Sequence, residues 1–183
     1  MNYFLCLEDD ILTLSRWVEF SEQNEDVYSV EIARLLMTAC SEIDVIAKLL
    51  CKAIGRSADN INKYQDIITE VIPKFHESKV SMPKFGKNFC PWSNWSLPHC
   101  SPDWWQGYNK VKHERIRHFQ KANLKNTLNA MAALCLLLVL YQSSEGGDFL
   151  NPKPKLFFPE SYVTNSGGEL RFFLHDGVNV PWK

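Results

Sequence analysis

The sequence predicts a mainly α-helical protein that carries a small β-rich extension at its C-terminus. Apolar residues recur at helical spacing in about five long segments, and a segment rich in proline and tryptophan, residues 77–101, interrupts them. Residues 148–183 instead combine prolines with short aromatic runs that are typical of strands. We therefore expect residues 1–147 to form one helical domain of about five helices, with residues 148–183 packed on it.

The first two helices are predicted from the spacing of their apolar residues. Residues 8–22 place apolar side chains three and four apart, Trp17 among them, and carry acids in the first turn. Residues 29–54 form the clearest helix, because one apolar stripe runs through the whole segment. Ser29 suits its N-cap position and Gly55 its C-terminal end.

Two shorter helices are expected on either side of the interruption. Residues 58–72 have a helical pattern that Pro73 ends, since proline lacks the N–H that a helix interior needs. A fourth helix is predicted over residues 102–118, where Pro102 and Asp103 form a favourable helix start.

The fifth predicted helix, residues 121–143, contains the most apolar run of the chain, Ala130 to Tyr141. This run has twelve residues, whereas a membrane-spanning helix needs roughly 20. Asn126 and Asn129 lie just before it. We interpret the segment as a buried central helix and expect no contact with a membrane.

Residues 77–101 are predicted to be an irregular insertion with a turn around Phe85-Gly86-Lys87. We interpret the tryptophans in and after the insertion as packing it onto the helices, with stacking on nucleobases as the alternative; they are Trp92, Trp95, Trp104 and Trp105. In the extension, "KLFFPE", "YVTN" and "ELRFFLHDG" are predicted strands, and "SGGELRFF" is interpreted as a hairpin turn.

Composition and charge restrict the classes of partner. The chain has 183 residues, is 45% hydrophobic and 22% charged, and carries a formal net charge of -1. These values are typical of a globular protein and exclude a generic polyanion binder. Any basic surface must therefore be local.

The six cysteines form no CxxC pair, and three of them lie in apolar helical patterns: Cys40, Cys51 and Cys135. We expect a cytoplasmic protein with reduced thiols. Cys90, His99 and Cys100 are close in sequence, but their spacing matches no common zinc site. We therefore expect no metal and no cofactor.

The candidate functional segment is "WWQGYNKVKHERIRHF", residues 104–119. Residues three and four apart share a helix face, so Asn109, Lys112 and His113 are expected on one side, with Arg117 a turn beyond them. Arg115 lies two residues from His113, about 200° around the axis, and is expected off that face.

The same segment begins a basic stretch. From Lys110 to Lys125 there are six Lys or Arg residues and one acid, Glu114. Such a local excess of positive charge suits a phosphate-bearing partner. A solvated helix face is the alternative for the individual charges, whereas an Asn-Lys-His cluster is a reasonable set for proton transfer and anion stabilisation.

The pattern "YNKVKHER" resembles the signature of HEPN-like domains, and "LLMTACSEIDVIAKLLCKA" is similar to the second helix of that family, with Glu42 among apolar residues. The resemblance covers about residues 8–143. It implies a compact helical bundle that forms a homodimer, with the two motif helices facing each other across a shared cleft.

The resemblance also implies roles for individual residues. Asn109 takes the polar position after the motif Arg, and His113 takes the motif His, while Tyr108 stands where the family has Arg and Arg115 where it has a trailing Tyr. In ribonucleases of this family the 2′-OH attacks the neighbouring phosphate without metal, the His transfers a proton and the Arg stabilises charge on phosphorus. Here Lys112 or Arg115 would supply that charge.

We therefore predict an RNA- or nucleotide-binding HEPN-like protein, in its catalytic form a metal-independent endoribonuclease of a prokaryotic toxin or defence system. A non-catalytic protein-interaction or scaffold module of the same fold is the alternative, with a protein partner. The candidate catalytic residues are His113, Asn109 and Lys112, and the candidate substrate-binding residues are Arg115, Tyr108, Arg117 and Lys110.

Overall fold

Helix α5 (Leu124–Ser144) forms the centre of the fold, because every residue from 130 to 140 is buried. A computed structural model describes residues 1–173 of the chain. Within these residues, as predicted, five α-helices dominate; the other four are α1 (Asn2–Leu14), α2 (Val30–Ala53), α3 (Ile61–Val71) and α4 (Asp103–His118). By length and composition α5 is able to cross a membrane, but 78% of its most apolar 18-residue stretch is buried inside the protein.

Helix α1 lies earlier in the chain than the predicted 8–22. Its buried side is formed by residues at helical spacing, from Phe4 and Leu7 to Ile11 and Leu14. The chain turns directly after Leu14, and the side chain of Trp17 is 81% exposed. The predicted bounds were wrong at the start because the apolar side begins at Phe4, before the acids, and at the end because the backbone turns after Leu14.

Helix α2 begins and ends where its capping residues predict. The Ser29 hydroxyl accepts a hydrogen bond from the Ile32 N–H at 3.1 Å, which satisfies one of the free N–H groups of the first turn. Gly55 adopts a left-handed conformation with φ of 79° and ends the helix. The Asn60 side chain caps α3 in the same way, accepting from the Lys63 N–H.

The insertion is more regular than predicted. Strands β1 (Val80–Met82) and β2 (Lys87–Phe89) form an antiparallel hairpin, and Gly86 adopts a left-handed conformation at the predicted turn. Strand β3 (Phe158–Pro159) from the C-terminal extension pairs with β1, giving the order β2-β1-β3. The expectation of an irregular segment was wrong because β1 gains its second pairing partner from a part of the chain far away in sequence.

The tryptophans of the insertion pack into the core, as predicted. Trp92 lies within 4.2 Å of Trp95 and 5.1 Å of Trp104, measured between ring centroids. Phe75 adds a further ring 5.5 Å from Trp92. All three tryptophans and Trp105 are buried, so none of them is available to stack on a ligand.

The two last strands form the predicted hairpin. Strands β4 (Val163–Ser166) and β5 (Glu169–Phe172) pair antiparallel. Gly167 and Gly168 connect them, both with positive φ, as a tight two-residue hairpin turn requires. Of the predicted strand "ELRFFLHDG", the residues after 173 lie outside the described part of the chain.

A buried carboxylate attaches the C-terminal extension to α1. Glu8 has 0% relative exposure, and its carboxylate accepts hydrogen bonds from three consecutive backbone N–H groups, those of Lys155, Leu156 and Phe157, at 2.7, 2.8 and 2.9 Å. Burial raises the pKa of Glu8, and the three N–H donors partly offset this rise. Nearby, the Cys135 thiol of α5 donates to the Phe157 carbonyl.

We predict that Glu8→Ala lowers the free energy of unfolding by about 3 kcal/mol or more, because three N–H donors, two of them buried, lose their acceptor. Asp9→Ala is the matched control, since the Asp9 ion pair with Lys155 is about half exposed on both sides and should contribute less than about 1 kcal/mol. Urea unfolding of both variants measures the difference, and equal losses would contradict a structural role for Glu8.

Candidate functional site

One face of α4 is fixed against the body of the protein. Trp104, Trp105, Tyr108 and Val111 repeat at helical spacing and are all buried. The Trp104 indole N–H donates to the Pro91 carbonyl at 2.7 Å. Anchored in this way, the helix exposes its opposite, polar face.

The structure brings Asn109, Lys112 and His113 together on the outward side of α4. Lys112 and His113 are exposed and Asn109 is half-buried. Within residues 1–173 the His113 ring has no hydrogen bond or ion pair with another side chain. An imidazole in this position is accessible to a ligand.

Tyr108, a candidate substrate contact, is instead buried. Its ring packs on Trp105, with centroids 5.2 Å apart. The Lys112 ammonium lies 5.4 Å from the Tyr108 ring centroid, a distance typical of a cation–π contact. Tyr108 therefore positions Lys112 and is not exposed to a ligand itself.

A kink at Glu114 changes the expected position of Arg115. Glu114 has non-helical backbone angles, φ of -136° and ψ of 56°, so the side chains after it do not continue the helical progression. One open depression is consequently lined by six consecutive residues, Lys112, His113, Glu114, Arg115, Ile116 and Arg117. The expectation that Arg115 lies off the face of His113 assumed an uninterrupted helix and stays a prediction; both residues line this depression.

The positive charges around this depression are mostly uncompensated. Arg117 lies 3.4 Å from the Glu114 carboxylate. In residues 1–173, however, no carboxylate lies within 4 Å of Lys112 or Arg115, and both side chains are exposed. Unpaired exposed cations on a nearly neutral protein generate a local positive potential.

A second pocket lies beside α4, towards its start, and the sequence-based reasoning missed it. Its volume is about 270 Å³, and Asp103, Gln106, Gly107 and Lys110 form one wall. Lys110, a predicted substrate contact, thus belongs to this pocket. The other residues of this wall follow Asp103 by three, four and seven positions, which places them on one helix face. In the sequence, this polar spacing together with a glycine inside a helix was the signal that could have indicated the pocket.

The opposite wall of this pocket comes from Lys121, in the turn before α5, and from Lys125 and Asn126 in the first turn of α5. The first N–H groups of α5 are already satisfied inside the protein. Those of Leu124 and Lys125 donate to backbone carbonyls, and that of Asn126 donates to the Asn123 side chain, which caps the helix. A ligand in this pocket would therefore meet side chains rather than the helix terminus.

Two of the buried cysteines are unsuited to act as nucleophiles. Burial raises the pKa of the Cys40 and Cys135 thiols well above the ordinary value, which disfavours the reactive thiolate. Over residues 1–173 no group of three His, Cys, Asp or Glu side chains is arranged to hold a metal ion.

Comparison with known proteins adds no functional assignment. No protein-family model, no curated protein and no solved structure matches this chain. The functional interpretation therefore depends on the geometry and charge of α4 and its surroundings.

Proposed function

We propose that this chain is an RNA-binding protein whose interface is the outward face of α4 around the Glu114 kink. The observation that carries the proposal is the depression in which Lys112, His113 and Arg115 are exposed together. Positive side chains that lack protein partners favour phosphate oxygens as ligands. The pattern "YNKVKHER", which resembles HEPN-like domains, supports the same conclusion and a HEPN-like bundle.

The proposal gives each residue a separate role in binding. Lys112, held over the Tyr108 ring, contacts a phosphate as a compact charge, whereas the Arg115 guanidinium binds two phosphate oxygens at once. Asn109, one turn before His113 on the same face, orients the imidazole or the substrate. Arg117 forms an ion pair with Glu114 and contributes to the positive potential around the depression.

We predict that the double variant Lys112→Ala/Arg115→Ala binds single-stranded RNA more weakly than the wild type. The association constant of the variant should also depend less on salt. The magnitude of the slope of its logarithm against log salt concentration should fall by about 1.4, since each of the two lost phosphate contacts contributes about 0.7 for single strands. Fluorescence anisotropy at several salt concentrations measures both quantities.

The matched control is Lys52→Ala/Lys74→Ala, which removes the same charge from two exposed positions elsewhere. An equal loss of affinity in both double variants would show that net charge, and not the α4 face, determines binding. Absence of RNA binding by the wild type would instead favour the alternative function, a protein-interaction module of the same fold.

Metal-independent RNA cleavage is a second candidate function, favoured by the kink that places His113, Lys112 and Arg115 around one depression. In such a reaction the ribose 2′-OH attacks the adjacent phosphorus, the bond to the 5′-oxygen breaks, and a 2′,3′-cyclic phosphate and a 5′-hydroxyl form. His113 transfers one of the two protons involved, and the cations stabilise the charge that develops on the phosphoryl oxygens.

We predict that the wild type cleaves labelled RNA in EDTA and that His113→Asn reduces the rate at least about 100-fold, the typical contribution of a general acid or base. His99→Asn is the matched control, because His99 is exposed in the insertion and its left-handed backbone tolerates asparagine. Wild-type protein that binds RNA but leaves it intact would exclude cleavage and retain the binding function.

A second copy of the chain is the proposed partner at this depression. Ile116, with 101% relative exposure, is an apolar side chain surrounded by charged residues. A facing copy would cover it and would supply the second proton-transferring imidazole. The resemblance to HEPN-like domains implies the same arrangement.

We predict by light scattering a particle of twice the 21.2 kDa chain mass for the wild type and a monomer for Ile116→Lys, because a further buried cation beside Lys112, Arg115 and Arg117 opposes association. Leu97→Lys, which changes an exposed apolar residue of the insertion, should remain dimeric. A wild-type monomer at micromolar concentration would contradict the proposal.

A further inference from the structure

The pocket between the first half of α4 and the start of α5 depends on a close approach of the two segments at Gly107. A Cβ atom at this position would lie 2.8 Å from the Asn126 side-chain nitrogen and 3.1 Å from the Lys121 carbonyl oxygen. The Asn126 amide itself donates to that carbonyl at 2.8 Å. The floor of the pocket is therefore a fixed, hydrogen-bonded surface.

The charges of this pocket are separated along its length. Asp103 and Lys110 are seven residues apart on α4, which places them about 10 Å apart along the axis. Lys110 and Lys121 have no carboxylate within 4 Å in the part of the chain that the structure describes, whereas Lys125 lies 3.2 Å from Glu25. The two unpaired lysines attract anions, and the Asp103 carboxylate repels them.

The acceptor that is specific to this pocket is the Asp103 carboxylate. The Gln106 side-chain nitrogen donates to the Ser101 carbonyl at 2.8 Å, and the Asn126 nitrogen donates to the Lys121 carbonyl; each amide keeps its oxygen and its second N–H for a ligand. The Asp103 carboxylate can only accept, and one of its oxygens lies 3.5 Å from the Asn94 amide nitrogen. A carboxylate of this kind binds ribose hydroxyls in nucleotide-binding proteins.

From this charge separation we infer that the pocket binds a ribonucleoside monophosphate group, with its phosphate at Lys110 and Lys121 and its ribose hydroxyls at Asp103. The volume of about 270 Å³ lies just below the range of roughly 300–1,000 Å³ of larger ligand pockets, which suits one nucleotide and not a longer segment.

This inference extends the proposed RNA-binding function. Lys110 is one turn before His113 on the same side of α4. The group in the pocket is therefore either the phosphorylated end of an RNA strand that continues to the depression, or a free mononucleotide with the same chemistry.

Calorimetric titration of the full chain tests the inference, with AMP, adenosine, inorganic phosphate and 2′-deoxy-AMP as probes. We expect AMP to bind at least about tenfold more tightly than adenosine or phosphate, because each lacks half of the contacts. Lys110→Ala/Lys121→Ala should weaken AMP binding about tenfold, whereas Lys52→Ala/Lys74→Ala should not. Asp103→Asn should reduce the preference for AMP over 2′-deoxy-AMP.

Titration with a short RNA that carries either a 5′-phosphate or a 5′-hydroxyl distinguishes the two possible ligands of the pocket, an RNA end and a free mononucleotide. Tighter binding of the 5′-phosphorylated RNA than of the 5′-hydroxyl RNA assigns the pocket to an RNA end, and equal affinity of the two RNAs assigns it to a free nucleotide. AMP that binds no more tightly than phosphate, or that binds the Lys110→Ala/Lys121→Ala variant as it binds the wild type, would overturn the inference.

Failure of this inference is distinguishable from failure of the proposed function. Lys112→Ala/Arg115→Ala should weaken the binding of long RNA and leave AMP binding unchanged. RNA binding without AMP binding overturns the pocket alone, and AMP binding without RNA binding overturns the RNA interface alone.

Discussion

The burial of α5 on all sides is the constraint on which the rest of the structure depends. A helix that is apolar around its whole circumference is stable in water only when other elements cover every face. Helices α2 and α4 and strands β1 and β3 supply this cover. The insertion and the C-terminal extension are therefore structural parts of the core, because strands from both complete one sheet against α5.

The position of Glu8 shows how the extension is attached at a distance in sequence. A buried carboxylate is unfavourable unless donors replace its hydration, and three consecutive N–H groups at residues 155–157 do so. The same three N–H groups would otherwise lack partners, since this segment is not part of a strand ladder there. The N–H groups offset the desolvation of the Glu8 carboxylate, and the carboxylate satisfies N–H groups that would otherwise lack an acceptor. This mutual hydrogen bonding fixes the extension beside α1.

Helix α4 combines rigidity on one side with exposed charge on the other. Its tryptophans and Val111 fix the helix in the core, so the side chains on its outer face have defined positions without being covered. The kink at Glu114 interrupts this outer face, and residues on both sides of it line one depression. Two neighbouring surfaces result: an open basic depression around His113 and a smaller pocket in which acid and lysines are separated.

The sequence by itself determined the helical class, the buried central helix, the caps at Ser29 and Gly55, and the common face of Asn109 and His113, because periodicity and capping act over a few residues. The kink at Glu114 was also beyond the sequence patterns, because it is defined by the backbone angles of one residue and not by a periodicity. Only the tertiary structure decided the pairing of β1 with β3, the burial of Glu8 and the close approach at Gly107. Each of these three depends on contacts between separate segments of the chain, whose relative positions are fixed when α5 is covered and the core is packed.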